Sequence, residues 1–103
     1  MVVPTKGGED IRLMDIEQDL TSLKKLVGGD IVNEGTVELK AHNVALLTNK
    51  TGLWDGLPYN QNLYPFFFTG TVVLCGMKNG RYVGLTNKQI DYLSEWFERL
   101  TMI

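Results

Sequence analysis

Residues 70–85 read GTVVLCGMKNGRYVGL, two β-rich arms on either side of Asn79-Gly80. An Asn-Gly pair between such runs marks a two-residue hairpin turn, because both central residues must take positive φ. The two arms are therefore antiparallel neighbours. Gly76 and Gly84, inside the arms, signal a bulge or a close backbone approach. Cys75 lies in the first arm and is the only cysteine. A lone thiol in an apolar strand behaves as a small buried hydrophobe, and without a second cysteine no intramolecular disulfide forms.

Beyond the hairpin, TNKQIDYLSEWFERL predicts a closing helix. Thr86 with Gln89 three residues later has the form of a capping box. Ile90, Leu93, Phe97 and Leu100 form an apolar stripe, flanked by Tyr92 and Trp96, while Lys88, Asp91, Glu95 and Glu98 face solvent.

Before the hairpin, Val2–Glu17 reads as two strands, VVPT and IRLMDIE, joined by a glycine turn at Lys6-Gly7-Gly8-Glu9. In the second strand Ile11, Leu13 and Asp15 share one face, and Arg12, Met14 and Ile16 the other. A helix over residues 19–27 follows, with Ile16, Leu20, Leu23 and Val27 at helical spacing. Gly28-Gly29 ends it, and Lys24 and Lys25 sit where a helix favours positive charge. From Thr36, alternation of Val37 and Leu39 with Glu38 and Lys40 predicts a half-buried strand. Ala41-His42-Asn43 turns into NVALLT, a strand of more continuous apolar character. Pro58 and Pro65 break regular structure between residues 53 and 69, with a short helix over 60–64 and Phe66-Phe67-Phe68 as a core wedge.

The order is β-β-α-β-β-β-β-α in one domain of 103 residues. Hairpins dominate and no series of crossovers appears. The fold class is α+β, a mostly antiparallel sheet with both helices packed on one face.

Composition narrows the function. A net charge of −2, with scattered lysines and arginines, argues against a nucleic-acid partner. The opening MVVPTKGGED lacks a basic start followed by an apolar run, and no stretch approaches the ~20 apolar residues of a membrane span. The expected setting is the cytoplasm. One His and one Cys do not make a zinc site. The glycine pairs fall in a turn and after a helix, not in a phosphate-binding context. The carboxylates Glu9-Asp10 and Asp15, Glu17 and Asp19 suit a solvated surface better than a cation or acid–base site. Asn49-Lys50-Thr51 matches a glycosylation pattern, read as chance. No catalytic residue, metal ligand or cofactor site is expected, and the chain does not read as an enzyme.

The distinctive segment is TNKTGLWDGLPYNQNLY, residues 48–64. Its Trp54, Asp55, Tyr59, Asn60, Asn62 and Tyr64 combine π-faces with amide and carboxylate groups. Such a loop suits a protein partner or a small planar ligand. Alternatively, Trp54 and Tyr64 cover the core while the asparagines tie the loop to its own backbone. Trp54 and Tyr59 would be the anchors of an interface. Self-association through Phe66-Phe67-Phe68, Trp96 or the sheet edges is a further option.

Four segments in order, VVPTKGGEDIRLMDIE, LKKLVGGDI, TNKTGLWDGLPYNQNLY, and GTVVLCG with LTNKQIDYL, resemble the domain of unknown function 3846. Asn49, Gly52, Leu57, Pro58 and Asn60 match that family's central pattern, and the chain departs from it at Lys50-Thr51 and Trp54-Asp55. The resemblance implies an accessory protein of a phage, plasmid or other mobile element in a bacterial host, with no catalytic residues to carry over. The expectation is a stoichiometric binder of a host or element-encoded protein. The alternative is a binder that sequesters a nucleotide-like ligand.

Overall fold

The computed structural model describes residues 1–13 and 19–101. Five strands form one antiparallel sheet: β1 (Val2–Val3), β2 (Ile31–Asn33), β3 (Val44–Asn49), β4 (Val72–Lys78) and β5 (Arg81–Val83). Their order is β1-β4-β3-β2, with β5 pairing the second half of β4. The Asn79-Gly80 turn has positive φ at both residues, 51° and 75°, as a tight hairpin requires. A Cβ on Gly76 would lie 3.0 Å from the Gly84 carbonyl oxygen, so the glycine there serves a close backbone approach.

The helices are α1 (Leu20–Val27), α2 (Val37–Ala41) and α3 (Asn87–Thr101). Asp19 caps α1 by accepting from the Ser22 amide at 2.7 Å, and Gly28 ends it in the left-handed conformation. The Thr86–Gln89 capping box is reciprocal: Thr86 N–H donates to Gln89 Oε1, and Gln89 N–H to Thr86 Oγ1. Gln89 Nε2 also donates to the carbonyls of His42 and Asn43, which fixes the start of α3 against the turn before β3.

β3 is buried at every residue, and β4 through Gly76. Val44, Leu46, Val72 and Leu74 point to one face, covered by Leu39 of α2 and by Leu93, Trp96 and Leu100 of α3. Ala45, Leu47, Val73 and Cys75 point to the other, covered by Leu23 and Val27 of α1. The α+β class and antiparallel sheet are as expected, but α1 and α3 lie on opposite faces instead of sharing one. Strands that are apolar on both sides need cover on both sides. Trp96 belongs to the core and does not flank it.

Two further expectations are corrected. Residues 37–41 are a helix, not a strand. Thr36 Oγ1 accepts from the Leu39 amide, and only Leu39 of the alternating pair is buried, Val37 being 86% exposed. On the side away from β4, the strand that pairs with β3 is β2, at Ile31–Asn33. In the opening hairpin, β1 pairs with β4 and, among the described residues, meets its own second arm through the Val2–Arg12 bridge. Residues 14–17 of that arm, including Asp15, Ile16 and Glu17, lie outside the described residues. Of the three phenylalanines, Phe66 stacks on Phe68 and Trp96, whereas Phe67 is 73% exposed.

Candidate functional site

The loop between β3 and β4 is built as two braced pieces. The first is a compact turn over residues 50–57. Thr51 N–H donates to Asn49 Oδ1, and the amides of Asp55 and Leu57 donate to the carbonyls of Thr51 and Gly52. The Thr51 hydroxyl donates to Asp55 Oδ2 at 2.8 Å. A Cβ on Gly52 would collide with the Thr69 hydroxyl, so the turn sits directly against the second piece. At its tip Leu53 and Trp54 stand out of the surface, 68% and 90% exposed.

The second piece is a ribbon in which residues 58–60 run antiparallel to 68–70. Asn60 N–H donates to the Phe68 carbonyl, Gly70 N–H to the Pro58 carbonyl, and Tyr59 bridges Thr69. Tyr59 and Phe67 meet edge to face with ring centroids 5.6 Å apart, and both are exposed. Edge-to-face contact of this kind is a favoured arrangement of two rings.

The asparagines do a different job. Asn60 is buried; its Nδ2 donates to the carbonyls of Val3 and Gly70, and its Oδ1 accepts from the Asn62 amide at the start of a 3₁₀ turn over Gln61–Leu63. Asn62 Nδ2 donates to the carbonyls of Pro4 and Lys6. Both tie the loop to the amino-terminal segment. Of the six residues singled out in sequence, Trp54, Asp55, Tyr59 and Tyr64 are therefore at the surface, and Asn60 and Asn62 hold the backbone that carries them. Neither Trp54 nor Tyr64 covers the core. Leu53 and Phe67 join the exposed set unforeseen; Leu53 was legible as an apolar residue between turn glycines, and Phe67 as the middle of three on an extended segment, where alternate side chains part.

Other reactive groups are placed in quiet settings. Burial pushes the Cys75 thiol up to about 11, which keeps it protonated and unreactive. Asn49 is buried and its Nδ2 donates to the Val27 carbonyl, so the glycosylation pattern has no accessible acceptor. His42 stacks on Tyr92, with centroids 3.6 Å apart. Arg99 Nη2 lies 2.8 Å from Glu38 Oε1, and this hydrogen bond holds the Glu38 carboxyl below the usual range. Among the described residues no three His, Cys, Asp or Glu side chains are gathered to hold a metal ion, and no helix is long and apolar enough to cross a membrane.

The loop thus presents exposed aromatic and aliphatic side chains on a hydrogen-bonded backbone. The family model described as Domain of unknown function (DUF3846) matches residues 1–98. No curated protein and no solved structure matches the chain.

Proposed function

This chain belongs to the DUF3846 family, and from that premise we propose that it is a non-enzymatic accessory binding protein of a phage or other mobile element. It acts stoichiometrically in the bacterial cytoplasm, docking on a host or element-encoded protein. The observation that supports this is Trp54, 90% exposed on a turn held by its own hydrogen bonds. Exposing a large ring to water forgoes the burial that usually fixes it, on the order of 2–3 kcal/mol for a large apolar side chain. A Trp carried on a hydrogen-bonded turn binds with little loop ordering left to do, and buried Trp and Tyr dominate interface energetics. Tyr59 and Phe67, edge to face in the same loop, supply a second anchor.

Capture from bacterial lysate with the wild-type protein and with Trp54→Ala/Tyr59→Ala tests the proposal. The double variant keeps its fold, since neither side chain is buried, and loses the partner by at least about a hundredfold in affinity, two hot-spot residues' worth. A captured partner retained undiminished by the double variant would overturn the assignment of the site. Titration of the wild type with a nucleotide panel, followed by tryptophan emission, separates this proposal from sequestration of a small planar ligand.

A further inference from the structure

A cavity of 540 Å³ opens between the first turn of α1 and the β4–β5 hairpin, lined by Asp19, Leu20, Gly80, Arg81, Tyr82 and Val83. Its apolar wall is Leu20, Tyr82 and Val83, and Leu20 is 56% exposed. Its cation is Arg81, which forms no salt bridge among the described residues. The Asp19 carboxylate accepts from Ser22 at the start of the helix.

The cavity and the Leu53-Trp54 tip lie at opposite ends of the sheet. Leu47 of β3 is opposite Val73 of β4, and Val44 is opposite Gly76. The turn after Asn49 therefore leaves at the end where β4 begins, and the Asn79-Gly80 tip lies at the other. α1 follows the same axis: Asn49 bonds the Val27 carbonyl at its last turn, which places Leu20 at the hairpin end. A six-residue strand separates them by roughly 20 Å, so the braced tip cannot reach the cavity of its own chain.

We propose that the Leu53-Trp54 tip of one copy seats in the Leu20–Tyr82–Val83 cavity of a second copy, head to tail, with Asp55 facing Arg81. The two patches complement each other at Arg81, while the cavity's own carboxylate, Asp19, is engaged at the start of the helix. The tip has an unshielded indole followed by an exposed carboxylate, and the cavity has an apolar wall and a guanidinium, which pairs with carboxylates and stacks on aromatic faces. Contact between two different patches of the same molecule is heterologous, and it builds a ring or an open chain of copies. This inference rests on the docking role given to Trp54, and it makes self-association a competitor of partner binding.

Sedimentation velocity over a wide range of protein concentration tests it. The wild type associates with concentration. Trp54→Ala and Arg81→Asp each weaken association by about tenfold or more, and Asp55→Arg combined with Arg81→Asp recovers most of the loss, as close charge pairs across interfaces do. Mixing Trp54→Ala with Arg81→Asp gives a one-to-one pair that grows no further, because one intact tip meets one intact cavity. A wild type that stays monomeric, or association unchanged by Trp54→Ala, would overturn the inference. So would a low-mass adduct in native mass spectra that Arg81→Asp removes, which assigns the cavity to a small anionic ligand. A monomeric wild type that still captures its partner through Trp54 leaves the proposed function standing.

Discussion

The side-chain amide of Asn60 donates to the backbone carbonyl of Val3 at 3.0 Å, joining residues 57 apart in the chain. The same nitrogen donates to the Gly70 carbonyl, and the carbonyl oxygen of the side chain accepts from the Asn62 amide. One buried side chain thus links β1, the 3₁₀ turn and the segment entering β4. Replacing it with Ala strands three backbone groups: the carbonyls of Val3 and Gly70 and the amide of Asn62. Unsatisfied buried polar groups cost about 1–3 kcal/mol each, less where water enters. Asn60→Ala is expected to lose about 3 kcal/mol in total, read as a lower urea midpoint at unchanged slope. A loss under about 1 kcal/mol, within the range of a typical surface change, would refute this account.

Gln89 is the corresponding brace at the other end of the sheet, where β3 begins. It accepts from Thr86 N–H and donates to the carbonyls of His42 and Asn43. Gln89→Ala should cost about 2 kcal/mol, a lost cap together with a lost tie to the turn. Gln89→Glu keeps the acceptor for Thr86 but turns a carboxylate toward two carbonyl oxygens. It is therefore expected to recover only the capping part, about 1 kcal/mol. Full recovery by Glu would show that the bonds to His42 and Asn43 contribute nothing.

These two braces differ in how plainly the sequence announced them. Thr86-x-x-Gln89 is a local pattern with a fixed spacing, and the hairpin at Asn79-Gly80 is another; both were legible because the partners are neighbours in the chain. The bonds from Gln89 to residues 42 and 43 depend on packing and left no trace. The α2 error has the same origin. Five residues of alternating polarity fit a strand, and what holds them as a helix, the Thr36 cap and the Glu38–Arg99 pair, comes partly from a residue 61 positions away. The cover on both faces was written in NVALLT and TVVLC, whose unbroken apolar runs outweighed the hairpin pattern that suggested one covered face. In the loop, composition identified the segment but could not divide its roles. Asn60 and Trp54 look equally suited to binding until burial separates them, 1% exposed against 90%.

The Glu38–Arg99 pair makes stability depend on acid in a defined sense. The hydrogen bond from Arg99 lowers the Glu38 pKa in the fold from its ordinary 4.5. A carboxyl with a depressed folded pKa contributes stability that is fully present above the unfolded value. That contribution is lost as pH falls through the folded one. The stability difference between wild type and Glu38→Gln should therefore be flat from about pH 6 to 8 and shrink below about pH 4.5. Added salt should shrink it too, because both side chains are about half exposed. A difference that grew on acidification would contradict the pairing.

Trp54 and Trp96 give the site its own spectroscopic control, since one is 90% exposed and the other 3%. Trp96 stacks with Phe66 and meets Phe97 edge to face, an apolar setting that shifts indole emission to the blue. In Trp54→Phe the remaining emission should be blue and nearly insensitive to iodide, and the variant should unfold at the wild-type urea midpoint. Trp96→Phe should leave red emission that iodide quenches readily, and should lose about 2 kcal/mol because it opens a gap in the core under α3. If Trp54 carries the docking contact, partner binding moves only its signal, so Trp54→Phe should abolish the spectral change on binding while Trp96→Phe preserves it. The reverse pattern would place the contact on α3 and remove the loop from the site.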